Sequence, residues 1–274
     1  MALSPAVPET WDEDPAGVSI LLATGRPRHD LLVVCEPQLL AELDAAWGAP
    51  QARVRLSFLP GVLEPRSADQ EDALLSYDRG GLGVLVARGR TCLYEGHPAR
   101  STTALARIVA GSGARAALLV TRASSVGGAA PGDLLAVGDH VSLSGTPLFP
   151  SERLIQATWD EDLTTRVSRL PGVRGTGVVA LGAGPLRPTP AEARILAGMG
   201  VDAVVTDTVA EGMALAGGGV ATAALVLVDE AVGPVSQPSG RRAAPAGSTA
   251  QQPASVVVHE AVEAVLARLA RREA

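Results

Sequence analysis

Short apolar runs alternate with helix-like stretches along nearly the whole chain. Leu31 to Val34, Val84 to Val86 and Ala117 to Thr121 read as buried strands, and the last follows a helix expected from Thr102 to Ala110 that ends near Gly111 or Gly113. Gly177 to Leu181, Val201 to Thr206 and Ala221 to Val228 add three more strands, with a short helix from Thr208 to Ala216 between the last two. Thr189-Pro190-Ala191-Glu192 supplies an N-cap threonine, a proline at the first helical position and a glutamate at the capping-box position, so a helix is predicted to about Gly198. From Ser255 to about Arg271, Val258, Val262, Val265, Leu266 and Leu269 share one helical face, and the helix ends in a basic turn that suits its dipole. The alternation predicts an α/β fold, one domain over residues 1–274 with a central mixed, twisted, partly barrel-like sheet flanked by helices. Residues 1–16 read as a flexible N-terminus. Val232 to Ala254, rich in Pro, Gly, Ser and Gln and lacking an apolar period, reads as a mobile loop or lid.

The formal charge of -6 gives no basic footprint for nucleic acid or an anionic membrane. Every one of the 23 basic residues is arginine, and the chain has neither lysine nor asparagine. Chemistry that needs a lysine is therefore closed to it, and any role that needs an asparagine falls to another residue. Cys35 and Cys92 lie far apart and fit a reduced, cytoplasmic chain. The charge-free stretch from Gly212 to Val228 is broken by Gly217-Gly218-Gly219, which argues against a membrane span. Asp12-Glu13-Asp14 and Asp160-Glu161-Asp162 have no His or Cys at metal-ligand spacing, so they read as solvated faces and no metal is expected.

Two blocks carry a resemblance. The first runs Arg90-Thr91-Cys92-Leu93-Tyr94-Glu95-Gly96-His97-Pro98, then Val120-Thr121-Arg122-Ala123-Ser124-Ser125-Val126-Gly127-Gly128, then Gly132-Asp133-Leu134 to Asp139-His140. The second runs Gly182-Ala183-Gly184-Pro185-Leu186-Arg187-Pro188-Thr189-Pro190-Ala191-Glu192, then Asp202-Ala203-Val204 and Thr208-Val209-Ala210-Glu211. In order and content they resemble the trimeric purine nucleoside phosphorylase and methylthioadenosine phosphorylase family. The resemblance implies a phosphorylase-type domain, a homotrimer, a purine nucleoside substrate and inorganic phosphate as co-substrate, with no cofactor.

Carried over residue by residue, Arg90 and the Ala123 amide would hold phosphate, Tyr94 and Thr206 would face the ribose, and Asp229, Pro188 and Thr189 the base. Arg90 and Asp229 would be the catalytic pair. A guanidinium clamps phosphate oxygens, and an aspartate can accept from a 6-amino group or, when protonated, donate to N7 of the departing purine. Asp229 and Pro188-Thr189 lean toward 6-aminopurines. The chain departs from the family at Cys92, where a histidine is expected, and at Asp207, where a serine or threonine donates to phosphate. It departs again at Val34-Cys35-Glu36-Pro37-Gln38, which lacks the glycines of the family's first phosphate loop.

Plainer roles stand beside these. Arg90 can be a strand-end arginine paired with Glu95 or Asp207, Tyr94 an interior tyrosine, Thr189 only a helix cap and His97 a structural histidine. Trp159, with Phe149, falls where the family's trimer contact brings an aromatic toward the neighbouring sugar site, or is an ordinary core or interface residue. The family's 5′-side histidine falls around Gln252. Three activities stay open: a phosphorylase, a non-catalytic nucleoside- or small-ligand-binding homologue, and a nucleosidase in which Asp207 activates water.

Overall fold

The structure, a computed structural model, describes residues 14, 16–143, 148, 154–182, 184, 187–232 and 252–271. Its frame is one mixed sheet in the order β2-β3-β4-β1-β5-β8-β7-β6-β9. The strands are β1 (Leu31–Val34), β2 (Ala52–Val54), β3 (Leu74–Arg79), β4 (Leu82–Ala87), β5 (Ala116–Ser125), β6 (Leu134–Ser142), β7 (Val173–Leu181), β8 (Ala203–Val205) and β9 (Ala221–Ala231). Because β9 also pairs with β5, strands β5, β8, β7, β6 and β9 close on themselves, and the sheet is barrel-like at one end and open at the other.

β1 is buried at every position because it is hydrogen-bonded in parallel to β4 and β5 and covered on both faces. Alternate residues divide between two cores. Leu31 and Val33 pack with the α2 (Ala41–Trp47) and α8 (Ala254–Arg271) side, where Leu43, Val258, Val262 and Val265 sit. Leu32 and Val34 pack with the α4 (Ala104–Gly111) and α7 (Thr208–Gly217) side, where Leu105, Ile108, Val109 and Leu215 sit.

Every expected strand and helix is present, and β5 and β7 run beyond their apolar cores. The polar extension of β5, from Thr121 to Ser125, lies along the site described below. The C-terminal helix starts one residue early, at Ala254. Residues 1–13 and 15, and 233–251 of the expected lid, lie outside the described residues. The second acidic cluster is not simply a solvated face. Asp160 caps α5 (Glu161–Ser168), accepting from the Leu163 amide at 2.9 Å, and Arg268 of α8 donates to Asp162 at 2.9 Å and to Asp160 at 3.4 Å. The cluster thus orders one helix and docks another.

The capping box is complete at α6 (Pro190–Gly198). Thr189 Oγ1 accepts from the Glu192 amide at 3.3 Å, and Glu192 accepts from the Thr189 amide at 2.7 Å. Thr189→Ala should cost about 1 kcal/mol of unfolding free energy in urea denaturation, and Thr189→Ser far less.

Candidate functional site

The site grows from a mismatch in strand length. β1 stops at Val34, opposite Leu119, while β5 continues and bends away to meet β8 at Ser124 and Ser125. The wedge between them leaves backbone carbonyls without ladder partners, and Arg90, three residues past the end of β4, fills it. Its Nη2 donates to Val34 O at 3.0 Å and Val120 O at 2.8 Å. Its Nη1 donates to Thr208 Oγ1 at 2.7 Å and Asp207 Oδ1 at 3.0 Å, with Glu211 Oε2 at 3.4 Å. The side chain is 4% exposed, so the guanidinium is committed to the protein's own acceptors. Burial opposes the charge, but Glu211 and Asp207 more than compensate and hold Arg90 protonated beyond its ordinary range.

Asp207 is the N-cap of α7 and a focus of donors. It accepts from the Thr208 amide at 2.5 Å, Thr208 Oγ1 at 2.7 Å and Thr121 Oγ1 at 2.9 and 3.2 Å, with Cys92 Sγ at 3.5 Å. Burial raises its pKa, yet Arg90 and the Thr208 and Thr121 hydrogen bonds outweigh burial, and the carboxyl stays below its usual range. Glu211, one turn into α7, is buried without such donors and is pushed up to about 7 by burial and by Asp207, against the pull of Arg90. One cation is shared by two carboxylates, and the better solvated by donors keeps the charge. Burial and Asp207 also push the Cys92 thiol far up, so it is an un-ionised wall beside the pair.

A second charged group lies further out. Arg122 on β5 donates from Nε to both Glu36 carboxylate oxygens at 2.7 and 2.8 Å, again from Nη2 to Glu36, and from Nη1 to Asp229 Oδ1 at 2.7 Å. Glu36 follows β1, and Asp229 is the extra residue of a bulge in β9, since Ala123 pairs with Val228 and Ser124 with Glu230. The bulge re-aims Asp229 toward β5. The glycines of the family's first loop are thus replaced by a glutamate that anchors an arginine.

Arg90, Cys92 and Tyr94, the Ala123 segment of β5, Thr206 and Asp207 after β8, Pro188 and Thr189 before α6, and Asp229 all border one cavity of about 800 Å³. The two sequence blocks therefore meet in space. Gly184 makes this possible at one wall: it has φ +60, and a Cβ there would stand 2.6 Å from Tyr94 Cβ. Burial raises the Tyr94 phenol to about 12, so it serves as a neutral hydrogen-bonding group. His97 instead faces Glu95, at 3.4 Å, and Arg90 pairs with Asp207 and not with Glu95. Gln252 packs beside Gly172, which precedes β7, whereas the cavity is at the far end of that strand. Trp159 packs on Gly212 of α7 and edge-on against His140, its centroid 6.0 Å away, while Phe149 lies outside the described residues. Arg122, Glu36 and Glu211 were given no role in the sequence. Knowing that β1, β5 and β9 run parallel side by side would have brought the first two together with Asp229.

No family model matches the chain. Among curated proteins it is similar to the purine nucleoside phosphorylase of Mycobacterium leprae, 32% identical over 210 residues, 75% of this chain and 77% of the relative. It is likewise similar to that of Mycobacterium tuberculosis, 31% identical over 208 residues with the same shares. Among solved structures it resembles a Schistosoma mansoni purine nucleoside phosphorylase in complex with acetate, with a TM-score of 0.74 at 20% identity over 91% of this chain and 94% of that one. A purine nucleoside phosphorylase in complex with ribose-1-phosphate gives a TM-score of 0.74 at 19% identity, covering 92% and 94%.

Proposed function

Since the chain belongs to the purine nucleoside phosphorylase family, we propose that its cavity takes a purine nucleoside, with 6-aminopurines preferred, and transfers the pentosyl group from base to phosphate. The observation that carries this is the convergence of the phosphate, ribose and base positions of both sequence blocks on one cavity of nucleoside size. Arg90 and the Ala123 amide receive phosphate, Tyr94 and Thr206 face the ribose, and Asp229, Pro188 and Thr189 line the base end. Phosphate is the co-substrate and no cofactor takes part. A phosphate oxygen forms the bond to C1′ as the bond from C1′ to N9 breaks, and the electron pair leaves on the purine. Family membership also makes a cytoplasmic homotrimer part of the proposal, which sedimentation velocity would check for the assembly.

Asp207 tempers the activity. It occupies the Arg90 donor that phosphate needs, so phosphate enters only by displacing a bound carboxylate, and wild-type turnover is expected to be slow and far from saturation in millimolar phosphate. That same contact favours a second reading, a nucleoside-binding homologue without phosphorolysis. Water activation by Asp207 is disfavoured, because a carboxylate held by an arginine and several hydroxyl and amide donors is a weak base.

Base release from adenosine, methylthioadenosine, inosine and guanosine, each with and without phosphate, separates the three. Phosphate-dependent release, fastest from the 6-amino substrates, is the expected result. Binding with no release would favour the second reading, and release independent of phosphate would favour a nucleosidase.

A further inference from the structure

Arg122 has no role in the scheme above, yet it holds the residue on which base recognition rests. A guanidinium offers five N–H groups. Nε and Nη2 spend theirs on Glu36 and on Gln38, the latter at 3.4 Å, and Nη1 spends one on Asp229 Oδ1 at 2.7 Å. The second Nη1 hydrogen and Asp229 Oδ2 make no hydrogen bond within the described residues, and both residues line the cavity with side chains 32% and 23% exposed. A fixed donor and a fixed acceptor thus stand side by side at the base end.

That pattern discriminates between purines. The edge of a 6-aminopurine presents an acceptor, N7, beside a donor, the 6-amino group, whereas a 6-oxopurine presents two acceptors, N7 and O6. The first complements an N–H beside a carboxylate oxygen, and the second sets O6 against the carboxylate. We infer that Arg122 and Asp229 act as one unit that reads the 6-aminopurine edge, Arg122 donating to N7 and Asp229 accepting from the 6-amino group. This rests on the nucleoside site proposed above and alters the division of labour within it. Asp229, bound to a permanent cation, acts as an acceptor only, and the N7 contact passes to Arg122. As the bond to N9 breaks, the electron pair spreads to N7, where a cation already donates. No proton leaves the guanidinium, and the purine anion takes its proton from solvent.

The test is binding by calorimetry in phosphate-free buffer, with adenosine, 7-deazaadenosine and inosine as probes, on wild type, Arg122→Met and Asp229→Asn. Wild type should bind adenosine at least about tenfold more tightly than 7-deazaadenosine, which has no N7 acceptor, and than inosine. Arg122→Met, which has no donor, should bind adenosine and 7-deazaadenosine nearly equally, and Asp229→Asn should shift preference toward inosine. Equal wild-type affinity for adenosine and 7-deazaadenosine would overturn the inference. That comparison changes only the ligand, so it decides the matter even if a variant fails to fold. If wild type binds none of the three nucleosides, the nucleoside site itself is refuted and the inference falls with it. If they bind without N7 or 6-amino discrimination, only the inference fails.

Discussion

Asp207→Ser is expected to raise phosphorolysis at millimolar phosphate at least tenfold and to bind phosphate at concentrations where wild type stays far from saturation. Arg90 Nη1, the Thr208 amide and hydroxyl and the Thr121 hydroxyl all converge on the Asp207 carboxylate, within 2.5 to 3.2 Å. These are the donors an oxyanion would use, at the N-terminus of the ten-residue helix α7. The carboxylate is thus a covalently tethered competitor for phosphate, and a like charge that repels the dianion. Serine removes the charge and leaves the donors facing the cavity. The substitution has a cost: removing one partner of a buried ion pair typically destabilises by about 3–5 kcal/mol. Glu211, at 3.4 Å, still faces Arg90 and should keep the loss toward the lower end. Phosphate then fills the place, and at a hundred times its Kd it restores about 2.7 kcal/mol. Thermal scanning should therefore give a variant that melts below wild type without phosphate and climbs by several degrees as phosphate is added, with wild type unmoved. A variant whose melting temperature ignores phosphate, and whose activity does not rise, would show that Asp207 is not what fills the anion site. Arg90→Ala is the poorer experiment. It strands two buried carboxylates and two backbone carbonyls, so lost activity could not be told from lost folding.

The elements of the fold were legible because local rules and burial agreed. Leu31 to Val34 is a four-residue apolar run, and it became a strand buried on both faces; Thr189 to Glu192 spelled a capping box, and both of its hydrogen bonds formed. Of the elements that escaped notice, β3, β6, α2 and α5 mix polar and apolar residues without a clean period, and tertiary partners decide them. Arg268, from the C-terminal helix, holds the cap residue of α5, Asp160, from 108 residues away. The site was legible as a set of positions and much less as chemistry. The motifs gathered Arg90, Asp207 and Asp229 around one cavity, but which charge neutralises which depends on strand order and on a bulge. Arg122 and Glu36 are 86 residues apart in sequence and meet only because β1 and β5 are parallel neighbours.

Glu211 makes the second large effect, and its direction is unusual for a carboxylate. Its pKa rises from 4.5 to about 7 on folding, so the folded chain binds a proton that the unfolded chain has released. Stability from this group is therefore fully present below pH 4.5 and is lost as the pH climbs to 7, a change of about 3 kcal/mol in all. His29 works against it in the same window. Buried and hydrogen-bonded to Ser76, it falls from 6.5 to about 4, so the unfolded chain gains the proton first and stability is lost as pH falls from 6.5. The histidine and glutamate slopes oppose each other between pH 4.5 and 6.5, with His140, whose pKa burial also lowers, adding to that of His29, and wild type should be far flatter there than a chain without Glu211. Glutamine at 211 keeps the shape of the protonated acid and cannot ionise, so Glu211→Gln removes one slope and leaves the other. Urea denaturation at a series of pH values should find the variant gaining on wild type by roughly 2–3 kcal/mol between pH 5 and pH 8, with its own stability rising with pH where wild type is flatter. A constant offset between the two proteins across that range would mean that Glu211 is ionised in the fold at both ends. In that case the single charge of Arg90 faces two ionised carboxylates, and the charge at the phosphate place is more negative than Asp207 alone would make it.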